Sequence, residues 1–558
     1  MGRTYRGRQI FMETLMAHGV HYLFGNPGTT ESPIMDSLLD YPSIEYVLAL
    51  HESVAVGAAH YYAQAAGTTA VVNLHVAPGL GNGLGMLYNA QAASTPMVVT
   101  AGQQDTRMRL REPLLGHDLV AMARPLSKWA VQAERADELP LLLRRAFKVA
   151  SDPPAGPVFV ALPINVMEEE TANAPEPPGT LFRRARPDPA AVEAAAARLA
   201  EAQSPALVVG DGVAFAGAQD QVVTLAELLG APVYYSGLHH QVNFPTGHPS
   251  CRDLVPFDHG ALRRLFADAD VLLLVGGTFF DENWFDEGSP FADDAAVLQI
   301  EASAERLARN FPLEVGILGD PRAALEELCV EVAARGGEGL RVAAGRRNEA
   351  LAAERRNQRE RQRERARERW DQRPIAAARL MVELEAGLPA GAILVNEAIT
   401  ATADLKRTFE LERAGDYYGT RGGGIGQALA GALGVQLAHP DRRVVAVSGD
   451  GSSLYSIQAL WSAAHHRLPV VFVILHNRSY RILKLNLDTY QRRFGLPGDR
   501  PYPHMDLTEP DIDFVALAEG FGVPGRRVED PGALAGAFEA AFASGSPYLL
   551  DVAIDGAV

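Results

Sequence analysis

The sequence predicts an α/β protein made of three parallel-sheet domains, and three observations carry that prediction. Short aliphatic runs ending on Gly, Asn or an acid recur between helical segments, as buried parallel strands with crossover helices do. Pro-rich and charged stretches interrupt the pattern and divide the chain into three blocks. With 558 residues and 47% hydrophobic content, the chain can bury several cores, and about 100–200 residues per domain gives three.

The first block, residues 1–172, ends before "TANAPEPPGTLFRRARPDP", where Pro, Gly and charge replace periodic apolar residues. The second, 188–340, alternates helical segments such as "AAVEAAAARLAEA" with "PALVVGDG", "APVYYSG", "DVLLLVGG" and "AAVLQIEA". A charged segment, 341–373, contains "RRNEALAAERRNQRERQRERARERWDQR". It reads as a solvated helical linker or an RNA-binding arm, and its Glu residues favour the linker. The third block, 374–558, repeats the strand pattern in "GAILVNE", "RRVVAVSGDG", "LPVVFVILHN" and "PYLLDVAI".

A formal charge of −17 opposes broad nucleic-acid binding, which needs a basic face. The partner expected is a small molecule. No run of 18 apolar residues occurs, and "MGRTYRGRQIFMETLMAHG" lacks a signal-peptide core, so no membrane association and a cytoplasmic location are expected. Cys251 and Cys329 lie too far apart in sequence to suggest a disulfide framework or a thiolate metal site.

The stretch "SGDGSSLYSIQALWSAAHHRLPVVFVILHN", Ser448 to Asn477, reads as one βαβ unit. Val444–Val447 form a strand; Leu454, Ile457, Leu460, Trp461, Ala464 and Leu468 recur at helical spacing; Val470–Leu475 form the next strand. Asp450 and Asn477 then share the carboxyl edge of the sheet, where ligands bind in such folds. Carboxylate, amide and carbonyl oxygens are the hard donors that Mg²⁺ or Ca²⁺ accepts. Gly451, Ser452 and Ser453 open a helix, whose N–H groups favour an anion such as a diphosphate. A helix cap made by the Asp is the alternative.

In the first block, "LHESVAVGAAHYYAQA" places Glu52 among Val54, Ala55, Val56, Ala58 and Ala59. A carboxylate buried there without a partner is costly. It either meets a ligand nitrogen, caps a helix or pairs with an Arg. The segment "GGGIGQALAGALG", Gly422 to Gly434, is by itself a tight helix-packing turn.

"GDG", 25 residues, then Asn resembles the cofactor motif of the thiamin diphosphate enzymes related to pyruvate decarboxylase and acetolactate synthase. The resemblance spans nearly the whole chain and implies a pyrimidine-binding first domain, a central domain and a diphosphate-binding last domain. It implies that Asp450, the Asn477 side chain and the Ser479 main-chain carbonyl hold Mg²⁺, and that Ile425 is the apolar prop under the cofactor. Asn26, Gly28, Thr400, Gly424, Gly451, Ser452, Tyr480 and Ile482 are the further cofactor contacts it implies. Glu52 corresponds to the acid that protonates the aminopyrimidine.

Within that family the chain most resembles benzoylformate decarboxylase, in "FGNPGTTESP", "VNLHVAPGLGNGLGMLYNA", "VTAGQQ", "RPLSKW", "VNEAITATAD" and "VAVSGDGSSLYSIQALWSAA". The match gives His75 the role of positioning substrate and relaying protons, a task suited to imidazole. Thr29 stands where the decarboxylase has a substrate-contacting serine. Asn283 stands where it has a second catalytic histidine, and Asn cannot shuttle a proton near neutral pH. His117 is either a substitute for that histidine or a surface residue.

The implied reaction is the non-oxidative decarboxylation of a 2-oxo acid, aromatic or bulky, to an aldehyde. An acetolactate synthase-like carboligase is the alternative, and a catalytically inactive cofactor-binding protein is the alternative of another class. Some relatives bind FAD in the central domain. Here "VVGDG" and "LVGGT" make no complete G-x-G-x-x-G loop, so FAD is not expected. The family builds each site between two chains, so a homodimer or homotetramer is expected.

Overall fold

The computed structural model describes residues 3–279, 284–498 and 500–558. They form two compact units: Met1–Leu181 with Asp371–Thr402 and Thr420–Val558, and Phe182–Trp370 with Ala403–Gly419.

The first unit holds two parallel sheets. One orders its strands Glu45–Leu48, Tyr22–Gly25, Ala70–Leu74, Met97–Gln103, Pro157–Pro163 and Trp129–Gln132. The other runs Ile393–Glu397, Val444–Gly449, Val471–His476, Tyr548–Ala553 and Gly525–Val528. The aliphatic runs are buried on both faces, which explains why they read as continuous rather than alternating. The pairing Val445↔Val471 to Gly449↔Leu475 ends both strands at one edge, so Asp450 and Asn477 emerge together.

The helix expected between those strands is broken. Asp450–Ser453 is one short turn, and Ala459–His465 is a separate helix. Between them, bonds from Tyr455 N to Ser452 O and from Ser456 N to Ser453 O tighten the chain into i→i+3 turns.

The two halves of this unit meet where helix Glu52–Ala66 crosses helix Gln427–Ala438. The crossing depends on absent side chains. A methyl group at Gly57 would lie 2.8 Å from Ala430 Cβ, and one at Gly431 would lie 2.6 Å from the Tyr61 ring. One at Gly434 would overlap Ala58 O and lie 2.7 Å from Tyr62 N. The backbones therefore touch, and "GGGIGQALAGALG" is a packing segment in its helical half.

In the second unit, one parallel sheet runs Cys251–Leu254, Val233–Tyr235, Pro205–Val209, Val271–Val275, Ala296–Glu301 and Val315–Leu318. Its Gly turns serve packing: a methyl group at Gly210 would lie 2.6 Å from Gly276 O. Asp211 accepts from His240 N at 2.8 Å and from Asn243 Nδ2 at 3.2 Å, ordering the neighbouring loop. The three parallel sheets confirm the fold class.

The charged segment lies on a helical stretch, Pro321–Glu368, broken at Gly337 where φ is +51°. Most of its residues are exposed, as a solvated segment requires, but one side of its first part is docked. Arg347 Nε donates to Leu229 O at 2.9 Å and Asn348 Nδ2 to Glu227 O at 2.8 Å, capping the last carbonyls of helix Gln219–Leu229. Those carbonyls take up the arginine that composition alone assigns to solvent. No described helix is long and apolar enough to cross a membrane.

Candidate active site

At the edge of the last sheet, Asp450 is buried and accepts two main-chain hydrogen bonds, from Gly451 N at 2.7 Å and Arg478 N at 2.6 Å. Asn477 Oδ1 accepts from Ser479 N at 2.9 Å. The chain beyond is pinned by Tyr480 N to Met505 O at 2.8 Å and Ser479 Oγ to Met505 O at 3.2 Å. Asp450, Asn477 and Ser479 are thus gathered by one strand-end arrangement. Burial pushes the Asp450 carboxyl upward, opposed by those N–H groups and by His476. A divalent cation would reverse that balance. Gly451 has no room for a side chain, because a methyl group there would collide with the Tyr480 ring. Ser452 is buried in the same turn, while Ile482 is exposed.

A second group gathers at the edge of the first sheet. His75, which follows strand Ala70–Leu74, faces Glu31 with Nδ1 to Oε2 at 2.7 Å. Glu31 is completely buried and also accepts from Gly28 N at 2.9 Å and Thr30 Oγ1 at 2.8 Å. An imidazole nitrogen facing a carboxylate carries hydrogen, so Nε2 is left as the exchangeable position. The glycine at 28 is required, since a methyl group there would overlap the His75 ring. Asn26 is half-buried before this turn. Thr29 is exposed, and the hydroxyl turned towards His75 is that of Thr30, at 3.4 Å.

Glu52 opens helix Glu52–Ala66 and is buried, with Asn82 Nδ2 donating to Oε2 at 3.0 Å. Gly79 leaves the other oxygen open: a methyl group there would approach Oε1 to 3.0 Å. Helix Val76–Ala92 supplies Gly79 and Asn82 at one end and Asn89 near the other. Asn89 brackets Gly424, accepting its N–H at 3.0 Å and donating to its carbonyl at 3.1 Å. Ile425 follows, half-buried, and Thr400 lies in the turn after strand Ile393–Glu397.

Three non-glycine residues with left-handed backbone adjoin these positions: Val76 (φ +36°) beside His75, Ile399 (+46°) beside Thr400, and Arg478 (+57°) between Asn477 and Ser479. Two are β-branched, for which this region is strained, and such strain gathers at ligand sites. His117 is exposed, its carbonyl accepting from Gln103 Nε2 at 2.8 Å. Asn283 lies outside the described residues.

Comparison with known proteins matches residues 5–122, 192–328 and 398–552 to the N-terminal TPP binding domain, central domain and C-terminal TPP binding domain of "Thiamine pyrophosphate enzyme". Over 549 residues the chain is 34% identical to benzoylformate decarboxylase of Pseudomonas aeruginosa, covering 97% of each. The chain belongs to the thiamin diphosphate-dependent enzymes. Among them it is also 27% identical over 564 residues to the acetolactate synthase isozyme 3 large subunit of Escherichia coli, covering 94% of this chain and 90% of that one. The solved thiamine diphosphate-dependent 4-hydroxybenzoylformate decarboxylase of Rhodococcus jostii superposes with a TM-score of 0.85 at 29% identity, covering 99% of each chain.

Sequence reasoning about this thiamin diphosphate enzyme misses Glu31, Asn82 and Asn89. A signal for Glu31 is present: "NPGTTESP" holds one acid in an otherwise uncharged turn, the same anomaly that marks Glu52.

Proposed function

We propose that the protein is a thiamin diphosphate- and Mg²⁺-dependent decarboxylase of an aromatic or bulky 2-oxo acid, releasing an aldehyde and CO₂. The observation that carries the proposal is the pairing of a hard-oxygen set at Asp450, Asn477 and Ser479 with a buried acid, Glu52, in the same compact unit. The donors fit the group. Among the described residues no three His, Cys, Asp or Glu side chains gather as a metal cluster, and a set with one carboxylate suits Mg²⁺ that shares its shell with phosphate oxygens. At Gly424 and Gly451 an added methyl group would meet Asn89 and Tyr480, so these positions stay bare for those side chains to pack against the main chain.

Thiamin diphosphate, when bound, supplies the electron sink that accepts the pair released with CO₂. The chain's own residues do the rest. Asp450, the Asn477 amide oxygen and the Ser479 carbonyl hold the cation, and Gly451 and Ser452 line the diphosphate. Ile425 props the cofactor, with Asn26, Gly28, Thr400, Gly424, Tyr480 and Ile482 around it. Glu52 holds a proton at the pyrimidine nitrogen, with Asn82 fixing its rotamer. His75 Nε2 moves the proton that replaces the lost carboxyl group, while Glu31 fixes the ring from behind. Thr29 is assigned to the substrate carboxylate, and Asn283 or His117 to the part of the second catalytic histidine.

The domains serve these roles as 1–172 for the pyrimidine, 188–340 as the central domain, 341–373 as its charged extension and 374–558 for the diphosphate. A homodimer or homotetramer completes the site, supported by the exposed apolar residues Leu110, Leu114, Tyr455 and Phe494 in the first unit. A carboligase reading draws support from the acetolactate synthase relative and from Asn at 283. Release of CO₂ from a panel of 2-oxo acids with thiamin diphosphate and Mg²⁺, with and without an acceptor aldehyde, separates the readings. Failure to release CO₂ from any of them would count against both.

A further inference from the structure

Strand Ile393–Glu397 ends in two adjacent buried polar side chains whose directions alternate across the sheet. Asn396 Oδ1 accepts from Ala398 N at 3.0 Å and its Nδ2 donates to Thr402 Oγ1 at 3.1 Å, tying down the turn that carries Thr400. Glu397 spans a different turn. Its Oε1 accepts from Gly426 N at 2.8 Å and its Oε2 from Ala428 N at 2.9 Å. Those N–H groups open helix Gln427–Ala438, directly after Ile425.

The turn cannot hold its own shape. Gly422, Gly423 and Gly426 all have positive φ, at +82°, +87° and +95°, a region glycine enters freely and leaves as freely. Side chains restrain it, among them Asn89 on Gly424, Gln427 on the carbonyls of Arg421 and Gly424, and Glu397 on the helix start. Asn89 and Gln427 are neutral amides, whereas Glu397 titrates.

We propose that Glu397 is a positioning residue that clamps the Gly422–Gly426 turn and thereby sets where Ile425 stands beneath the bound cofactor. The inference rests on the thiamin diphosphate reading of this site. A carboxylate accepts both N–H bonds equally, whereas the protonated acid keeps one good acceptor and leaves Gly426 or Ala428 poorly bound. The clamp therefore loosens on protonation. Burial pushes the Glu397 carboxyl up to about 7, opposed by the N–H groups of Ala428, Gln427 and Gly426. Titratable groups on the neighbouring elements are Glu52, His60, Tyr61 and Tyr62 on helix Glu52–Ala66, Tyr88 on helix Val76–Ala92, Asp450 and Tyr455 in the turn, and His465.

The test measures hydrogen exchange of the peptide spanning Gly422–Ala428 in cofactor-free protein across pH 6 to 8 (about one unit either side of the Glu397 value), corrected for intrinsic rates. Calorimetric affinity for thiamin diphosphate with Mg²⁺ is measured alongside. In the wild type, protection should rise with pH through about 7. In Glu397→Gln it should be flat, with exchange faster and cofactor affinity weaker, each by about tenfold or more. Wild-type protection that ignores pH, or a Gln variant that binds cofactor as the wild type does, overturns the inference. The pH arm needs no variant, so it stands even where Glu397→Gln fails to fold. Intact pH-dependent protection in a wild type that binds no thiamin diphosphate would instead overturn the cofactor reading, and with it the role towards Ile425.

Discussion

Replacing Gly434 with alanine tests the helix crossing that joins the two halves of the first unit. The added methyl group would overlap Ala58 O and lie 2.7 Å from Tyr62 N. Both obstacles are main chain, so no rotamer change relieves them, and the helices must separate. Overpacking costs about 1–3 kcal/mol when side chains can yield. With backbone on both sides, a loss at or above about 3 kcal/mol is expected. That corresponds to a fall in melting temperature of roughly 4 °C for a unit of this size. The measurement is calorimetry on cofactor-free protein, because bound ligand would mask the change. Gly536→Ala is the matched control: it adds the same methyl group to a helix, Leu534–Ala543, with nothing within 4 Å of the new atom. Helix propensity predicts a gain of up to about 1 kcal/mol there. If Gly434→Ala melted with the wild type, backbone contact between the two helices would be refuted.

Asp450→Ala should abolish cofactor retention, since it leaves the cation mostly neutral ligands beside a diphosphate; unchanged affinity in calorimetry would sink the metal assignment. Glu52→Gln keeps the volume but cannot transfer the proton, and a loss of turnover of at least about a hundredfold is expected with melting unchanged. Glu31→Gln should lower kcat/KM by roughly 10–100-fold by releasing the His75 ring, and full activity would show that His75 needs no fixed tautomer. Stability should also depend on pH through Glu397. The unfolded chain loses this proton near 4.5 while the folded chain keeps it to about 7, so the folded state binds more protons in between. Its contribution is complete below about 4.5 and falls away as pH rises to about 7, by up to about 3 kcal/mol. Glu397→Gln should flatten that part of the melting-temperature profile. The clamp is therefore firmest where it costs the fold most.

Local signals are readable from sequence because their geometry is local. A strand, a Gly-Asp-Gly turn and a second strand ending on Asn put two oxygens on one sheet edge whatever the rest of the chain does, and the register confirms it. Glu52 stands out because an acid in an apolar run must be accounted for. Glu31 and His75 are harder to join: they lie 44 positions apart at two different sheet positions, and no periodicity links them. The broken helix after Asp450 is invisible to pattern because Leu454 and Ile457 fit the helical spacing while the serines tighten the backbone into shorter turns. The docking of the charged segment is hidden for a related reason. Its partners are carbonyl groups, which every residue carries and no composition reveals.

The glycine crossing also constrains how the protein comes to exist in the cell. Tyr61 and Gln427, which meet at the crossing, are 366 positions apart. At about 5–20 residues per second of synthesis, the first helix leaves the ribosome roughly 20–70 s before its mate. During that interval the side of it that meets Gln427–Ala438, with Gly57, Ala58, Tyr61 and Tyr62, has no native cover. The amino-terminal third thus emerges as an adhesive surface awaiting the end of its own chain, and a product truncated before helix Gln427–Ala438 would retain that stickiness permanently.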